Sequence, residues 1–183
     1  MQFFELGLTQ ETHLALQENG YNEPTPVQAQ VIPLVLDRQD VVAMAQTGSG
    51  KSAAFILPIL QMWNASKGEG KAKIKALVLT PTRELTLQIA DVFREFGSLL
   101  PNMPQVVRVI GGESIGDQLY DIQRGCDILV ATTGRFLDIL RKGQMNLSRL
   151  EFFVLDEADK MLNADFAQEL DLILDAIPDE RQN

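Results

Sequence analysis

A glycine-rich stretch near the start of the chain carries the residue types that hold phosphate groups. Ala45-Gln46-Thr47-Gly48-Ser49-Gly50-Lys51-Ser52 lies between two apolar runs. Glycines let the backbone turn its N–H groups toward an anion, and a helix that begins there adds the positive end of its dipole. Lys51 can reach the β- and γ-phosphates of a nucleotide, and the Ser52 hydroxyl can bind Mg²⁺. The stretch predicts a P-loop, with a chance glycine-rich turn as the alternative, since Ala45 replaces the first glycine of the usual pattern.

Two acidic residues that follow the apolar run 152–155 could complete this chemistry. Asp156 is placed to hold Mg²⁺, usually through water, and Glu157 to orient and polarise an attacking water molecule. Carboxylates also favour helix N-termini, so the acids alone would fit a simple helix start equally well. Coupled to a P-loop, they predict hydrolysis of a nucleoside triphosphate, with Glu157, Lys51 and Asp156 as the catalytic residues and Ser52 and Asp156 as the metal ligands.

These residues must be positioned by an α/β fold, because short apolar runs alternate with helical patterns. Runs rich in Val, Ile and Leu that do not alternate are typical of strands buried on both faces of a parallel sheet. The predicted strands are 41–45, 75–80, 106–110, 127–131 and 152–155. The predicted helices are 10–19, 26–36, 50–63, 83–96, 114–123, 135–141 and 165–176, with a polar surface connection at 64–73. This order predicts a three-layer αβα architecture with a mostly parallel sheet.

Length, charge and cysteine content narrow the classes of protein. The 183 residues suffice for one α/β domain with a proper core. A single cysteine, Cys126, and a single histidine, His13, exclude an internal disulfide framework and a His/Cys metal cluster, so any metal would be held by oxygen atoms. The chain begins without a signal-like segment, which predicts a cytoplasmic protein, or a nuclear one in a eukaryote. The net charge of −9 argues against nucleic-acid binding through bulk electrostatics.

Taken together, the motifs resemble those of the DEAD-box ATP-dependent RNA helicases. In chain order they are AQTGSGKS at 45–52, Pro81-Thr82-Arg83-Glu84-Leu85, Gly111-Gly112, Ala131-Thr132-Thr133-Gly134-Arg135 and Asp156-Glu157-Ala158-Asp159. The upstream stretch 20–28 is similar to the Q motif of that family, with Phe3 at the place of its isolated aromatic. The resemblance covers nearly the whole chain. It implies a single RecA-like ATP-binding domain over 1–183, with the Q motif region at about 1–29.

For the nucleotide, the resemblance implies ATP with Mg²⁺. Gln28 would bind the adenine edge through its amide, and Tyr21 would pack near the base. The implied nucleotide-binding residues are Tyr21, Gln28, Ala45, Gln46, Thr47, Gly48, Ser49, Gly50, Lys51 and Ser52. A structural alternative remains open for Gln28, because Thr25-Pro26-Val27-Gln28 also has the pattern of a helix capping box.

The resemblance also implies RNA as a partner, bound through its sugar–phosphate backbone with little preference for base sequence. The implied residues are Thr82, Arg83, Gly111, Gly112, Thr132, Gly134 and Arg135. Each has an ordinary structural alternative as a helix start, a turn or a solvated first-turn residue. Thr133 stands where the family has proline, which we expect to loosen that turn and to add a hydrogen-bonding group.

The resemblance also names parts that this sequence lacks: the Ser-Ala-Thr motif, its strand, and a second RecA-like domain with an arginine finger. We expect the chain to be monomeric, to bind nucleotide weakly, and not to unwind RNA without that second domain. The alternatives are a nucleotide-dependent RNA or protein binding module without turnover, and a different P-loop ATPase or kinase. No segment offers the lid or the acceptor pocket that a kinase needs.

Overall fold

The computed structural model describes residues 2–66 and 73–183, the side chains at 164 and 165 excepted. Within these residues the chain forms two compact units. The first, here called the phosphate-loop unit, comprises 2–66, 92–103 and 182–183. The second, the sheet unit, comprises 73–91 and 104–181. None of the helices in the described ranges is long and apolar enough to cross a membrane. Most of the predicted connection at 64–73 lies outside the described residues.

The phosphate-loop unit is helical. Its elements are a 3-10 turn (Phe3–Leu6), α1 (Gln10–Glu18), α2 (Pro26–Leu36), α3 (Lys51–Ala65) and the carboxyl-terminal part of α4 (Arg83–Gly97). Helix α2 packs against α3 through a small apolar cluster of Val31, Val35 and Ala54. Gln182 joins this unit by donating its side-chain amide to the Val35 carbonyl at 3.1 Å, a carbonyl near the end of α2 that also accepts the Arg38 N–H at 3.0 Å.

The sheet unit contains four parallel strands in the order β2-β3-β1-β4. These are β1 (Ala76–Thr80), β2 (Val106–Val109), β3 (Ile128–Thr132) and β4 (Phe152–Leu155). The helices of the unit are the start of α4, then α5 (Ile115–Arg124), α6 (Thr133–Leu140), α7 (Ala158–Met161) and α8 (Ala164–Leu174). The prediction of an α/β fold with a parallel sheet and flanking helices is confirmed.

The core of the sheet unit explains why its strands were recognisable as continuous apolar runs. Every residue of β1 is buried, and side chains such as Leu79 and Leu129 pack with Phe136 of α6 and Ile173 of α8. Because the strands are parallel and in register, their carboxyl ends meet at one edge, with Thr80 paired to Thr132 and Leu79 to Leu155. That edge carries most of the candidate site residues of this unit.

The predicted strand at 41–45 is wrong. This segment belongs to no strand in the part of the chain that the structure describes, and the side chains of Val42 and Met44 are both 96% exposed. The Val41 N–H donates to the Asn183 carbonyl at 3.0 Å. Apolar composition favours a strand only where a neighbouring strand takes up the backbone N–H and C=O groups, and none of the strands in the described ranges pairs with 41–45.

Candidate functional site

The phosphate loop ends in a glycine that no other residue could replace without strain. Gly50 has left-handed backbone angles (φ 87°, ψ 19°) and directly precedes α3, which begins at Lys51. A Cβ atom at this position would lie 2.4 Å from Nε2 of Gln28. Both the left-handed conformation and the close approach therefore require glycine. The first backbone N–H groups of α3 begin directly after this turn, as the P-loop prediction expects.

Lys51 lies in the first turn of α3 and folds back over the loop. Its ammonium group donates to the carbonyl oxygens of Ala45 and, at 2.9 Å, of Gln46. The Ser49 N–H donates to the same Gln46 carbonyl at 3.3 Å, which closes the turn. Ser52 follows Lys51 and is half-buried. The loop therefore holds a cation between its own carbonyl groups.

Gln28 connects the start of α2 to this loop. Its side chain is 1% exposed, its Oε1 accepts the Thr25 N–H at 3.0 Å, and its Nε2 donates to the Gly50 carbonyl at 3.1 Å. The Thr25 hydroxyl in turn accepts the Gln28 N–H at 3.4 Å, so that the capping box is complete. The capping alternative is thus realised. An amide has a second N–H and further lone pairs, so base recognition by Gln28 stays a prediction.

Tyr21, the predicted partner of the base, packs on an aromatic side chain. Its ring centroid lies 5.3 Å from that of Phe96 in α4, at an interplanar angle of 57°. Such a tilted pair stabilises the ring position beyond simple burial. The ring is half-buried, and a role beside the base stays a prediction.

The two acidic residues predicted for catalysis follow β4 at the carboxyl edge of the sheet unit. Asp156 is 9% exposed, and its N–H continues the ladder by donating to the Leu79 carbonyl at 3.0 Å. Its Oδ1 accepts the Glu157 N–H at 3.1 Å. No group of three or more His, Cys, Asp or Glu side chains that could hold a metal occurs among the described residues. A Mg²⁺ ion that binds nucleotide phosphates needs only one or two carboxylates, which Asp156 fits.

Glu157 has an unusual backbone conformation for a residue with a side chain. Its angles are left-handed (φ 56°, ψ 46°), which costs about 1–3 kcal/mol and occurs preferentially at functional sites. Its Oε2 lies 2.8 Å from the Lys160 ammonium one turn later. The hydrogen bond to Glu157 raises the pKa of Lys160, and the charge of Glu157 adds to that effect. The carboxylate is therefore held by a cation next to Asp156.

The first predicted RNA segment forms a capped helix start. The Thr82 hydroxyl accepts the Leu85 N–H at 3.2 Å, and the Thr82 carbonyl accepts the hydroxyl groups of Thr86 and Thr80 at 2.9 and 3.1 Å. The ordinary structural reading of Thr82 is therefore realised. Arg83 occupies the first position of α4, and its guanidinium approaches Gly112, where a Cβ atom would lie 2.7 Å from Nη1. The structure thus brings Arg83 and the Gly111-Gly112 turn together.

The loop after β2 is joined to Arg135 through residues that the motifs did not indicate. Arg135 Nη1 donates to the Glu113 carbonyl at 2.9 Å and to Oε1 of Gln118 at 3.3 Å. Gln118, buried in α5, donates to the Ile110 carbonyl and to the Glu113 carboxylate, both at 3.0 Å. Arg108 of β2 pairs with the same carboxylate at 3.2 Å. Only the position of Glu113 directly after Gly112 could have signalled this arrangement.

The third predicted RNA segment lies at the junction of β3 and α6. Thr132 ends β3 and precedes α6 without a capping bond from its side chain. The added hydroxyl of Thr133 is buried and bonds Sδ of Met161 at 3.5 Å, so it faces the interior of the unit. Gly134 faces α8, where a Cβ atom would lie 3.8 Å from both carboxylate oxygens of Glu169. Of this segment, Arg135 is the residue that joins the Gly111-Gly112 loop.

Comparisons with known proteins agree on one family. A family model described as DEAD/DEAH box helicase matches residues 25–183. The DEAD-box ATP-dependent RNA helicase CshA of Geobacillus kaustophilus is 39% identical over 180 residues, which are 98% of this chain and 37% of that protein. The ATP-dependent RNA helicase DeaD of Klebsiella pneumoniae is 44% identical over 180 residues, which are 98% of this chain and 27% of that protein.

A solved structure extends this agreement to the fold. The crystal structure of a DEAD box protein from the hyperthermophile Methanococcus jannaschii is 37% identical and matches with a TM-score of 0.90. The match covers 100% of this chain and 48% of that chain. The chain thus spans about a third of the length of the curated relatives and about half of the solved one. Its fold is that of a RecA-like domain, and the chain belongs to the DEAD/DEAH box helicase family.

Proposed function

We propose that this chain is the ATP-binding domain of an ATP-dependent RNA helicase, which couples ATP binding and hydrolysis to the remodelling of RNA duplexes. The observation that carries the proposal is the contact between Gln28 and Gly50. It joins the amide expected to select adenine directly to the loop expected to hold phosphate.

In the proposed nucleotide site, the phosphates lie on the loop 45–50 and on the first N–H groups of α3. Lys51 exchanges its two carbonyl partners for phosphate oxygens, which accept stronger charge-assisted bonds. The second N–H of the Gln28 amide and its remaining lone pair face the adenine edge. Tyr21, fixed by Phe96, packs near the base.

In the proposed hydrolysis step, Asp156 and Ser52 are the residues that would hold Mg²⁺, and Glu157 would orient the attacking water. The ion would neutralise the charge that develops on the transferred phosphoryl group. Glu157 is suited to its role because its left-handed backbone and its contact with Lys160 fix the direction of its carboxylate. Asp156 is suited to its own because it is nearly buried at the end of a paired strand.

The proposed RNA site lies at the carboxyl edge of the sheet unit. Arg83, Gly112 and Arg135 meet there, and Thr82 and Thr132 end or follow neighbouring strands. A few directed bonds to the sugar–phosphate backbone suffice for such a grip, which agrees with a net charge of −9. The parent protein would supply a second RecA-like domain for the other half of each site. An arginine finger contributes about 10³–10⁵ in rate, so we expect the isolated chain to hydrolyse ATP very slowly and not to unwind.

The test is equilibrium binding of ADP and GDP, each with Mg²⁺, by calorimetry. Wild type should prefer ADP clearly, and Gln28→Ala should remove the preference while leaving GDP binding nearly unchanged. Thr25→Ala, which removes the hydroxyl of the cap but retains the amide, should lower stability by about 1 kcal/mol and keep the preference. Gln30→Ala, an exposed glutamine on the same helix, is the matched control and should change neither.

Either of two outcomes would remove the observation that carries the proposal, which is base selection through Gln28. Equal binding of ADP and GDP by wild type would mean a less selective P-loop protein. A Gln28→Ala variant that melts lower but still prefers ADP would mean that Gln28 is only a cap.

A further inference from the structure

One carboxylate lies among the cations of the proposed RNA site, and the proposed function does not use it. Glu113 follows the Gly111-Gly112 turn, and its two carboxylate oxygens accept from Arg108 at 3.2 Å and from Gln118 at 3.0 Å. Its carbonyl accepts from Arg135 at 2.9 Å. We call Glu113 with Arg83, Arg108, Gln118 and Arg135 the Glu113 cluster.

The carboxylate of this cluster remains charged at neutral pH. The hydrogen bond from Gln118 lowers the pKa of Glu113, partial burial opposes that effect, and the positive charges of Arg108 and Arg83 lower the pKa further. The side chains of Glu113 and Arg108 are 40% and 35% exposed, so their pair faces solvent. Exposed ion pairs of this kind add little to stability, generally less than about 1 kcal/mol. The pair between Glu113 and Arg108 therefore contributes little to the stability of the fold.

A carboxylate and a phosphate use the same donors. Guanidinium groups bind both through charge-assisted N–H bonds, and an amide N–H can serve either. The Glu113 carboxylate accepts from Nη1 of Arg108 and from Nε2 of Gln118. Arg83 and Arg135 both contact the same loop. An RNA phosphate that reached this loop would have to compete with the carboxylate for Arg108 and would be repelled by its charge.

We propose that Glu113 limits the affinity of this site for RNA, because it pairs with Arg108 and so keeps that guanidinium from binding an RNA phosphate. Arg108 is then a latent phosphate contact that the motifs do not reveal. This inference rests on the proposed RNA function of the same edge. It predicts that neutralising Glu113 strengthens RNA binding, whereas removal of a side chain that merely supports the loop would weaken it.

The experiment measures binding of a fluorescently labelled single-stranded decauridylate to the 183-residue chain at 25 to 200 mM KCl. Glu113→Gln should bind roughly three- to tenfold more tightly at low salt, because one further phosphate contact is formed. The slope of log Kd against log salt should steepen by about 0.7, the value for one phosphate of a single strand. ADP binding should not change.

Two further variants assign the gain to Arg108. Arg108→Gln alone should not raise the RNA affinity, because Arg108 is already paired and its loss leaves the charge of Glu113 uncompensated. In the Glu113→Gln background the same substitution should remove the steepening of the salt slope and the part of the gain that comes from the Arg108 contact. Glu151→Gln is the matched control, since it removes an equal charge from an ion pair with Lys75. This pair lies at the opposite, amino edge of the sheet, where Lys75 precedes β1 and Glu151 precedes β4. It should leave the salt slope unchanged.

The outcomes separate this inference from the proposed function. If wild type binds the oligonucleotide and Glu113→Gln binds no better, or gains as much as Glu151→Gln, the inference is wrong and the RNA function stands. If no variant binds at 25 mM KCl, the RNA function fails and the inference with it. Glu113→Ala provides a second neutral side chain, so that a folding defect of one variant cannot decide the result.

Discussion

Two five-residue segments of similar apolar character differ sharply in burial in this molecule. In the segment 41–45, VVAMA, the three central residues are exposed and the two end residues are half-buried, whereas β1, ALVLT, is buried along its whole length in the sheet unit. Both were predicted as buried strands. The difference is that β1 has a parallel neighbour on each side, while residues 41–45 belong to no sheet within the described ranges. Burial of an apolar run is therefore decided by its partners and not by its composition.

The largest expected effect is a difference in the free energy of unfolding between two valine-to-alanine variants, one in each segment. Val78→Ala in β1 should lower the free energy of unfolding by about 2–3 kcal/mol, because a fully buried side chain loses two methyl groups and leaves a cavity. Val42→Ala should change it by less than about 0.5 kcal/mol, because its side chain is 96% exposed. Urea unfolding of both variants measures the difference. Comparable losses at the two sites would show that 41–45 is buried in solution.

The phosphate loop is positioned by polar bonds, whereas β1 is positioned by burial. In this loop, a smaller difference in stability should separate alanine substitutions at its two glycines. Gly48 and Gly50 both have positive φ angles, of 80° and 87°, but only Gly50 has a close neighbour. Alanine at either position bears the backbone strain of about 1–2 kcal/mol. Gly50→Ala should lose about 1 kcal/mol more, because its Cβ would displace the Gln28 amide.

Thermal unfolding and ADP binding measure both glycine variants, with Gly48→Ala as the control for strain alone. We expect the ADP affinity of Gly50→Ala to fall further than that of Gly48→Ala. Equal losses in both measurements would contradict a positioning role for the contact between Gln28 and Gly50.

The parts that could be predicted from the sequence are those that depend on local pattern. The strands of the sheet unit and the capping box at Gln28 follow from residue types and short spacings, and motif order indicated the loop at 45–52. The Glu113 cluster could not be predicted, because it joins β2, the loop after it, α5 and α6 through the tertiary fold. The inward position of Thr133 escaped prediction for the same reason, since its partner Met161 is 28 residues away.

The smallest effect concerns the charge of Glu113, in the sheet unit. Because its folded pKa is lowered, the ionised carboxylate stabilises the fold above its unfolded pKa of about 4.3. That contribution should disappear as the pH falls through the folded value. The stability difference between wild type and Glu113→Gln should therefore stay constant near neutral pH and shrink below about pH 4.3. A carboxyl-carbon NMR titration measures this pKa directly, and an ordinary value would weaken the case for the cluster.

The ammonium of Lys51 is already bonded to the Ala45 and Gln46 carbonyls, and this affects how an affinity for nucleotide is interpreted. A phosphate that enters this loop makes an exchange of partners instead of a new bond, so the observed affinity reports only the difference between the two sets of bonds. The same exchange works in reverse. On the proposed function, departure of the nucleotide would return the lysine to carbonyl groups that are already in place, and no unpaired charge would be left behind. If the chain is the ATP-binding domain proposed above, a loop that already holds its own cation would bind nucleotide less tightly and release it more readily.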